Sequence, residues 1–298
     1  MRPPRFPRPP RARRSWLFLP GADIEALRAG PASGADVLIQ ELEDFTPPPL
    51  RRQARAVSAG AFAHWRAAGH VVAARVNPLE ECGRDDLAAI MLGRPDVVML
   101  AMAQTPAQIR TLDDEIARHE TALGIASGAT EIVPNIETAR ALVNAGAIVA
   151  ASPRVTALLL ATEDLAADLG AERTPQGGEL DYARRRFLVE CAAADVVAID
   201  CPFTYADATH LDADLRFARG LGYKAKSLVN ADQIGAIHAA FTPGDEEVAR
   251  ARRMIEAFDA ARAQGADRVE LDGLMVEVPT VRAARRLIAR HEELRGYA

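Results

Sequence analysis

Short runs of apolar residues alternate with longer polar and alanine-rich segments along the chain from Ser15 onward. Most runs are continuously apolar and lack the alternation of a strand with one face in water. Continuous runs of this length are typical of strands buried on both faces of a parallel sheet. The eight runs are 16–19, 37–42, 71–76, 97–100, 132–136, 157–160, 196–199 and 223–229.

Segments between these runs have compositions that favour helix, being rich in Ala and Arg. The clearest of them are 50–68, 105–120, 137–147 and 181–194. Eight successive strand–helix units predict an α/β fold of the TIM (β/α)8 barrel type rather than an open doubly wound sheet. The G-x-G-x-x-G fingerprint of dinucleotide-binding folds is missing after the first run. We therefore expect a barrel over residues 15–243.

The two ends of the chain are predicted to lie outside this barrel. Residues 1–14 contain six Arg and five Pro and almost nothing apolar, so we expect a disordered basic tail. Docking of this basic run on an acidic partner is the alternative. Residues 244–298 are expected to form a helical extension with helices over 246–264 and 282–294. The extension packs on a neighbouring subunit or adds a layer to its own barrel.

Composition excludes several classes of protein. The 298 residues are 49% hydrophobic and 26% charged, as in ordinary globular proteins. No apolar run approaches the roughly 18–20 residues of a membrane-spanning helix. The net charge is −5 although the first 14 residues are purely basic, and an acidic body argues against nucleic-acid binding. Three cysteines without metal-ligand spacing fit a reducing compartment, so a cytoplasmic location is predicted.

Polar residues follow several predicted strands at the points where those strands end. Glu43-Asp44, Arg75, Glu137 and Glu163-Asp164 lie at or just beyond these ends, with Asn77 beside Arg75. The carboxyl ends of barrel strands converge on one face, where the chemistry of such folds takes place. Clustered carboxylates repel one another unless a cation lies among them, and Mg²⁺ prefers oxygen ligands. For Glu163, a helix-capping role is the favoured alternative.

Other chemistries are weakly supported. The six histidines have no zinc-ligand spacing, and the chain lacks a Gly-x-Ser-x-Gly elbow. Cys201 follows the seventh run without a histidine placed to activate it. Lys226 lies within the eighth run, where a Schiff-base role competes with a simple ion pair.

Six short motifs are spread along the chain from Arg14 to nearly its end. They are Arg14-Ser-Trp-Leu-Phe-Leu-Pro-Gly21, Leu42-Glu-Asp44, Arg75-Val-Asn-Pro78, Asn135-Ile-Glu-Thr138, Thr162-Glu-Asp-Leu-Ala-Ala-Asp-Leu-Gly170 and Asp272-Gly-Leu-Met275. Together they resemble the citrate lyase β-subunit family, within the HpcH/HpaI group of Mg²⁺-dependent aldolases and acyl-CoA lyases.

The resemblance implies a role for each matching residue. Glu137 and Asp164 are expected to ligate Mg²⁺, with Glu137 also contacting substrate, and Arg75 to hold the substrate carboxylate. Arg14 is taken as a further substrate-binding residue. Glu43 and Asp44 are expected to orient water or transfer protons. Glu277 occupies the position of a family aspartate that acts as an acid–base group in a neighbour's site, which implies a homotrimer or hexamer.

The predicted reaction is Mg²⁺-dependent cleavage of a 3-hydroxy-3-carboxy acyl-CoA, of citryl-CoA or citramalyl-CoA type, to acetyl-CoA and a 2-oxo acid. Four departures from the family pattern bear on it. Ala101-Met102 replaces Pro-Lys, Leu228-Val229-Asn230 replaces Ile-His-Pro, Glu277 replaces Asp, and Gln40-Glu41 replaces Leu-Asp. The alternatives are a class II pyruvate-type aldolase acting on free hydroxy-oxo acids, or a non-catalytic barrel subunit of a larger assembly.

Overall fold

The computed structural model describes residues 8–297, and within this range eight parallel strands close into a barrel. Each strand pairs with the next along the chain, and β8 pairs with β1 to complete the ring. The predicted TIM barrel is confirmed. Its strands are β1 (Ser15–Pro20), β2 (Val37–Glu41), β3 (Val71–Val76), β4 (Val97–Leu100), β5 (Glu131–Ile136), β6 (Ala157–Leu160), β7 (Val197–Asp200) and β8 (Ala225–Leu228).

Helices follow the strands and surround the barrel. Within residues 8–237 they are α1 (Ile24–Ala29), α2 (Arg51–Ala67), α3 (Arg84–Leu92), α4 (Pro106–Leu123), α5 (Ala139–Val143), α6 (Ala145–Val149), α7 (Thr162–Leu169), α8 (Asp181–Ala193) and α9 (Ala208–Leu221), and α10 (Ile234–Phe241) follows β8. The segment 137–147, predicted as one helix, forms two short helices separated at Asn144, whose amide group donates to the Gln104 carbonyl at 3.0 Å.

Alternate side chains of each strand point into the barrel. Val37 and Ile39 of β2, and Val71 and Ala73 of β3, belong to one buried core with residues of the other strands. Because side chains alternate between the two faces of a strand, the same register directs residues 41 and 75 inward at the carboxyl end. The barrel interior is therefore apolar along most of its length, with the charges of residues 41 and 75 at its carboxyl end.

An arginine closes the amino end of the barrel. Arg13, 1% exposed, forms a bidentate ion pair with Glu131, with both N–O distances 2.7 Å, and lies 5.9 Å from the Trp16 ring centroid. Strands β1 and β5 lie four positions apart in the ring, so the pair spans the opening. The prediction of a disordered tail is not met by residues 8–14, which include a 3₁₀ turn at Pro10–Ala12. Residues 1–7 lie outside the described residues.

Residues from His238 onward form a second compact unit, which begins a few residues before the predicted boundary at 243/244. It contains α11 (Asp245–Ala263), an antiparallel hairpin of β9 (Val269–Leu271) and β10 (Leu274–Val276), and α12 (Val278–Arg295). Phe258, Val276 and Val281 form its small core. Both predicted helices are present, and the hairpin was not predicted. None of the helices in the described chain has the length and apolar character needed to cross a bilayer.

Replacement of Arg13 with Met should destabilise the barrel by about 2–3 kcal/mol, since it leaves the Glu131 carboxylate without its cation at a mostly buried position. Urea unfolding at pH 7 measures the change. Arg11→Met is the matched control, because both side chains of the Arg11–Asp195 ion pair are exposed to solvent. This pair should contribute less than about 1 kcal/mol to the free energy of unfolding. Equal effects of the two changes would contradict the assigned role of Arg13.

Candidate active site at the carboxyl ends of the strands

Six charged side chains gather at the carboxyl end of the barrel. They come from the end of β2 and its following loop, from β3, from the residue after β5 and from the first turn of α7. We call them the carboxylate cluster. Its members are Glu41, Glu43, Asp44, Arg75, Glu137 and Asp164.

Arg75 lies at the centre of the cluster and is 5% exposed. Its Nε donates to Glu41 Oε1 at 2.8 Å, and its Nη1 donates to Glu137 Oε1 at 3.4 Å. Nη2 lies 3.0 Å from Glu43 Oε2 and 3.8 Å from Asp44 Oδ2. Burial alone would lower the pKa of Arg75, but the surrounding carboxylates of Glu41, Glu137 and Glu43 raise it above its usual value. The guanidinium is therefore a permanent cation.

Two neighbouring groups hold Glu137 in place from its own side of the barrel. Its Oε2 accepts a 2.6 Å hydrogen bond from the Met102 amide, and its Oε1 accepts one from Asn135 Nδ2 at 3.2 Å. Met102 has a φ of +51°, in the left-handed region that non-glycine residues rarely occupy. Burial raises the pKa of Glu137 to about 7, and the charge of Asp164 adds to this effect, whereas Arg75 and the Met102 amide oppose it.

Glu43 and Asp164 complete the crowding of negative charge. Burial raises the pKa of Glu43 to about 8, and the charges of Asp44, Glu137 and Glu41 add to this effect while Arg75 opposes it. Burial and the charge of Asp44 also raise the pKa of Asp164. Burial is the largest cause of each shift and the neighbouring carboxylates add to it, whereas a bound cation would favour the charged forms.

The donor atoms of the cluster suit a hard divalent cation. Every ligand they offer is a carboxylate or amide oxygen, and the buried Asn135 Oδ1 lacks a hydrogen-bond donor. No three His, Cys, Asp or Glu side chains in residues 8–297 are close enough to enclose a metal by themselves. Mg²⁺ commonly takes one or two carboxylates and completes its shell with water and substrate oxygens. Glu137 and Asp164 therefore fit a magnesium site with open positions.

The chain is similar to known lyases over most of its length. Residues 14–231 match the family model for HpcH/HpaI aldolase/citrate lyase. The chain belongs to this family. It is 35% identical to the citrate lyase subunit beta of Escherichia coli K12 over 286 residues, covering 95% of this chain and 94% of that protein. It is 27% identical to an L-malyl-CoA/beta-methylmalyl-CoA lyase of Cereibacter sphaeroides, covering 96% of each.

Solved structures of the family have the same fold. The CitE protein of Mycobacterium tuberculosis, in complex with magnesium, acetoacetate and coenzyme A, is 26% identical with a TM-score of 0.77, covering 95% of this chain and 99% of that one. A citrate lyase of Burkholderia xenovorans has a TM-score of 0.81 at 20% identity, over 94% of this chain and 91% of that one, and shares the fold.

Arg14, which was assigned by resemblance, lies outside the carboxylate cluster. Arg14 immediately precedes β1 and therefore lies at the amino end of the barrel, where its guanidinium contacts Asp36 at 3.0 and 3.1 Å. A strand length separates it from the cluster, so the structure does not place it for substrate binding there. Glu277 precedes α12 in the second compact unit, and its half-exposed carboxylate lies 3.9 Å from Arg268 Nη1.

Lys226 and Cys201 are explained by packing rather than catalysis. Lys226 Nζ is fully buried, 2.7 Å from both Asp200 and Asp214, and Arg184 pairs with Asp200 from α8 outside the barrel. Burial would lower the pKa of Lys226, but the two aspartates raise it, so the amine is not free to form a Schiff base. Burial raises the pKa of Cys201 to about 11.

Glu163, for which a capping role was the favoured alternative, connects two loops instead. It pairs with Arg173 at 3.0 Å and accepts a 3.0 Å hydrogen bond from the Thr204 hydroxyl. Glu41 is the residue that sequence reasoning missed. Its only signal was the replacement of the family's Leu-Asp by Gln40-Glu41, yet it is fully buried and makes the shortest side-chain contact with Arg75.

In metal-free protein, the pKa is raised to about 8 for Glu43 and to about 7 for Glu137, whereas both have the ordinary glutamate pKa of 4.5 in the unfolded chain. Between these values the folded state holds protons that the unfolded state has released. The free energy of unfolding should therefore fall as pH rises from about 5 to 8. Glu43→Gln should flatten this fall, because a carboxamide does not titrate. Urea unfolding in EDTA measures it, with Glu163→Gln as the control that follows the wild type. Parallel curves for wild type and Glu43→Gln would contradict the assignment.

Proposed function

We propose that this protein is a Mg²⁺-dependent carbon–carbon lyase that cleaves a 3-hydroxy-3-carboxy acyl-CoA, of citryl-CoA or citramalyl-CoA type, to acetyl-CoA and a 2-oxo acid. Its relatives indicate an acyl-CoA lyase family and an enzyme of the lyase class. The observation that carries the proposal is the buried guanidinium of Arg75 among oxygen ligands at the carboxyl end of the barrel. An anionic substrate with a carboxylate next to its reacting hydroxyl fits this arrangement.

Glu137 and Asp164 would hold the magnesium ion. When bound, Mg²⁺ polarises oxygen atoms of the substrate and stabilises negative charge that develops on them. The magnesium complexes of family members support this assignment. The hydrogen bonds from Met102 and Asn135 to Glu137 fix the orientation of that carboxylate before any ligand arrives.

Arg75 would bind the substrate carboxylate through its two terminal nitrogens. A planar guanidinium forms two parallel hydrogen bonds with a carboxylate, which fixes the orientation of the neighbouring carbon–carbon bond. Nη1 and Nη2 make the longest and least directed contacts of the guanidinium, to Glu137, Glu43 and Asp44, so a substrate carboxylate can replace them.

Proton transfer is assigned to Glu43, with Asp44 orienting water beside it. Cleavage removes the proton of the substrate hydroxyl, breaks the carbon–carbon bond and leaves an enolate of the thioester, which takes up a proton to become acetyl-CoA. Glu43 lies 3.0 Å from Arg75 Nη2, beside the position proposed for the substrate carboxylate, and is not one of the proposed metal ligands, so its carboxylate is available to exchange a proton there. Glu277 of a neighbouring subunit is proposed as the acid that supplies the enolate's proton.

The proposal therefore includes a homotrimer or hexamer with sites shared between subunits, in the cytoplasm. Glu277 stands at the start of α12 and is half exposed, as a group that serves another chain must be. Neither nucleic acid nor membrane is a proposed partner.

Mixing two inactive proteins, Glu137→Ala and Glu277→Ala, tests the sharing of sites. Hybrid oligomers should recover part of the activity, because some sites then combine an intact Glu137 with an intact Glu277 from another chain. Subunit exchange is verified separately with differently tagged chains. Demonstrated exchange without any recovery would exclude a shared site.

Incubation with citryl-CoA, citramalyl-CoA and malyl-CoA in the presence of Mg²⁺ tests the reaction, with acetyl-CoA as the measured product. Arg75→Lys keeps the positive charge but loses the paired donors, so kcat/KM should fall about 100-fold. Unchanged kcat/KM in this variant would remove Arg75 from the mechanism. Turnover of free hydroxy-oxo acids alone would identify a pyruvate-type aldolase, and failure to bind Mg²⁺ in calorimetry would identify a non-catalytic subunit.

A further inference from the structure

We infer that Glu41 is the positioning residue that presents Arg75 to the substrate, by holding its Nε and leaving its two terminal nitrogens facing the site. This inference rests on the proposed function of Arg75 and assigns the residue on which that function depends. Glu41 stands where the family pattern has Asp, so its side chain is one methylene longer.

The Glu41 carboxylate accepts three hydrogen bonds, one from a side chain and two from backbone amides. Its Oε1 accepts hydrogen bonds from Arg75 Nε and from the Glu43 amide, both at 2.8 Å, and its Oε2 accepts one from the Phe45 amide at 2.6 Å. A carboxylate is the only side-chain group of this shape that accepts at both ends. A carboxamide would turn its NH₂ group toward one of these three donors.

These contacts divide the guanidinium of Arg75 into a fixed edge and an open edge. The Nε of Arg75 is held by the fully buried Glu41 at 2.8 Å, the shortest contact between Arg75 and a carboxylate. Nη1 faces Glu137 and Nη2 faces Glu43. These two carboxylates repel each other and line the proposed metal site. A carboxylate that binds Arg75 is therefore directed to the terminal nitrogens beside the metal ligands.

An aromatic contact closes the arrangement from the other side. The guanidinium of Arg75 lies 5.2 Å from the centroid of the Phe18 ring, and Phe18 packs edge-to-face against Phe45 with centroids 6.4 Å apart. Because Glu41 binds the Phe45 amide, it fixes both the plane of the guanidinium and the loop that carries the aromatic contact. Displacing Glu41 would release Arg75 in two directions at once.

The backbone around Glu41 is too closely packed to compensate. The Glu41 carbonyl accepts a 2.5 Å hydrogen bond from the Thr46 hydroxyl, which itself accepts one from the Gly21 amide at 3.1 Å. A Cβ added at Gly21 would lie 2.2 Å from the same carbonyl oxygen. The backbone at position 41 is therefore fixed in place, and the length of the side chain determines which donors its carboxylate reaches.

The test compares Glu41→Gln with a matched buried Glu–Arg pair at the other end of the barrel. Glu120 accepts from Arg154 at 2.7 and 2.9 Å and from the Gly128 and Thr130 amides at 2.9 Å each, so Glu120→Gln disturbs the same kind of network without touching the cluster. Calorimetry measures the Kd of Mg²⁺ and then the Kd of pyruvate, a 2-oxo acid with one carboxylate, at saturating Mg²⁺.

Glu41→Gln should weaken pyruvate binding about 10- to 100-fold and leave Mg²⁺ binding within about twofold, since misplacement of a binding group by about 1 Å has effects of this size. Glu120→Gln should change neither constant. In metal-free protein, the ¹H–¹⁵N signal of Arg75 Nε, assigned by its loss in Arg75→Lys, should shift in Glu41→Gln and remain in place in Glu120→Gln.

Glu41→Asp serves if Glu41→Gln does not fold. It keeps two acceptor oxygens but is one methylene shorter, so it cannot reach Arg75 Nε and the loop amides together, and the same loss of pyruvate binding is expected. Unchanged pyruvate binding in the Glu41 variants, or an equal loss in Glu120→Gln, would overturn the inference alone. A wild type that binds Mg²⁺ but no pyruvate would contradict the proposed function itself.

Discussion

The ion pair between Arg75 and Glu41 is the interaction around which the carboxyl end of the barrel is organised. It joins β3 to β2 inside the barrel, at the level where the apolar interior ends. Two buried charges at a 2.8 Å contact are costly to desolvate, and additional hydrogen bonds from the loop amides offset that cost. The remaining carboxylates then find a cation already fixed among them, which explains how Glu43 and Glu137 can be buried side by side.

The same pair explains why the cluster is suited to a ligand of mixed charge. One guanidinium does not neutralise five carboxylates, and this excess of negative charge adds to burial in raising the pKa values of Glu43 and Glu137. A divalent cation bound by the carboxylates offsets the excess of negative charge. A substrate carboxylate can then replace Glu137 and Glu43 as the partner of Arg75 Nη1 and Nη2. The metal thus relieves the excess of negative charge, and Arg75 supplies the positive charge that the substrate carboxylate needs.

The sequence predicted the barrel well because parallel strands buried on both faces appear as continuous apolar runs, and eight of them are present. It predicted five of the six members of the carboxylate cluster, all but Glu41, because residues such as Arg75 and Glu137 lie at or just beyond strand ends, which a barrel brings together. The hairpin at 269–276 was not predicted, since its strands are three residues long and partly exposed, although Asp272-Gly273 is a recognised turn signal.

Other positions needed the register of the strands, which the sequence pattern does not specify. Lys226 points out of the barrel, whereas Arg75 points into it. A shift of one residue along a strand reverses the face to which a side chain points. Arg14 shares a motif with the start of β1, whereas the site lies at the other end of the strands. Glu41 was hidden because its importance lies in three hydrogen bonds that form only when the loop after β2 folds back over it.

A crystal structure of the protein with Mg²⁺ and oxaloacetate tests the central claim most directly. We expect the metal between the carboxylates of Glu137 and Asp164, a ligand carboxylate on the two terminal nitrogens of Arg75, and Glu41 still bound to Arg75 Nε. A metal held by other residues, or a ligand carboxylate bound elsewhere while Arg75 keeps all its protein partners, would contradict it.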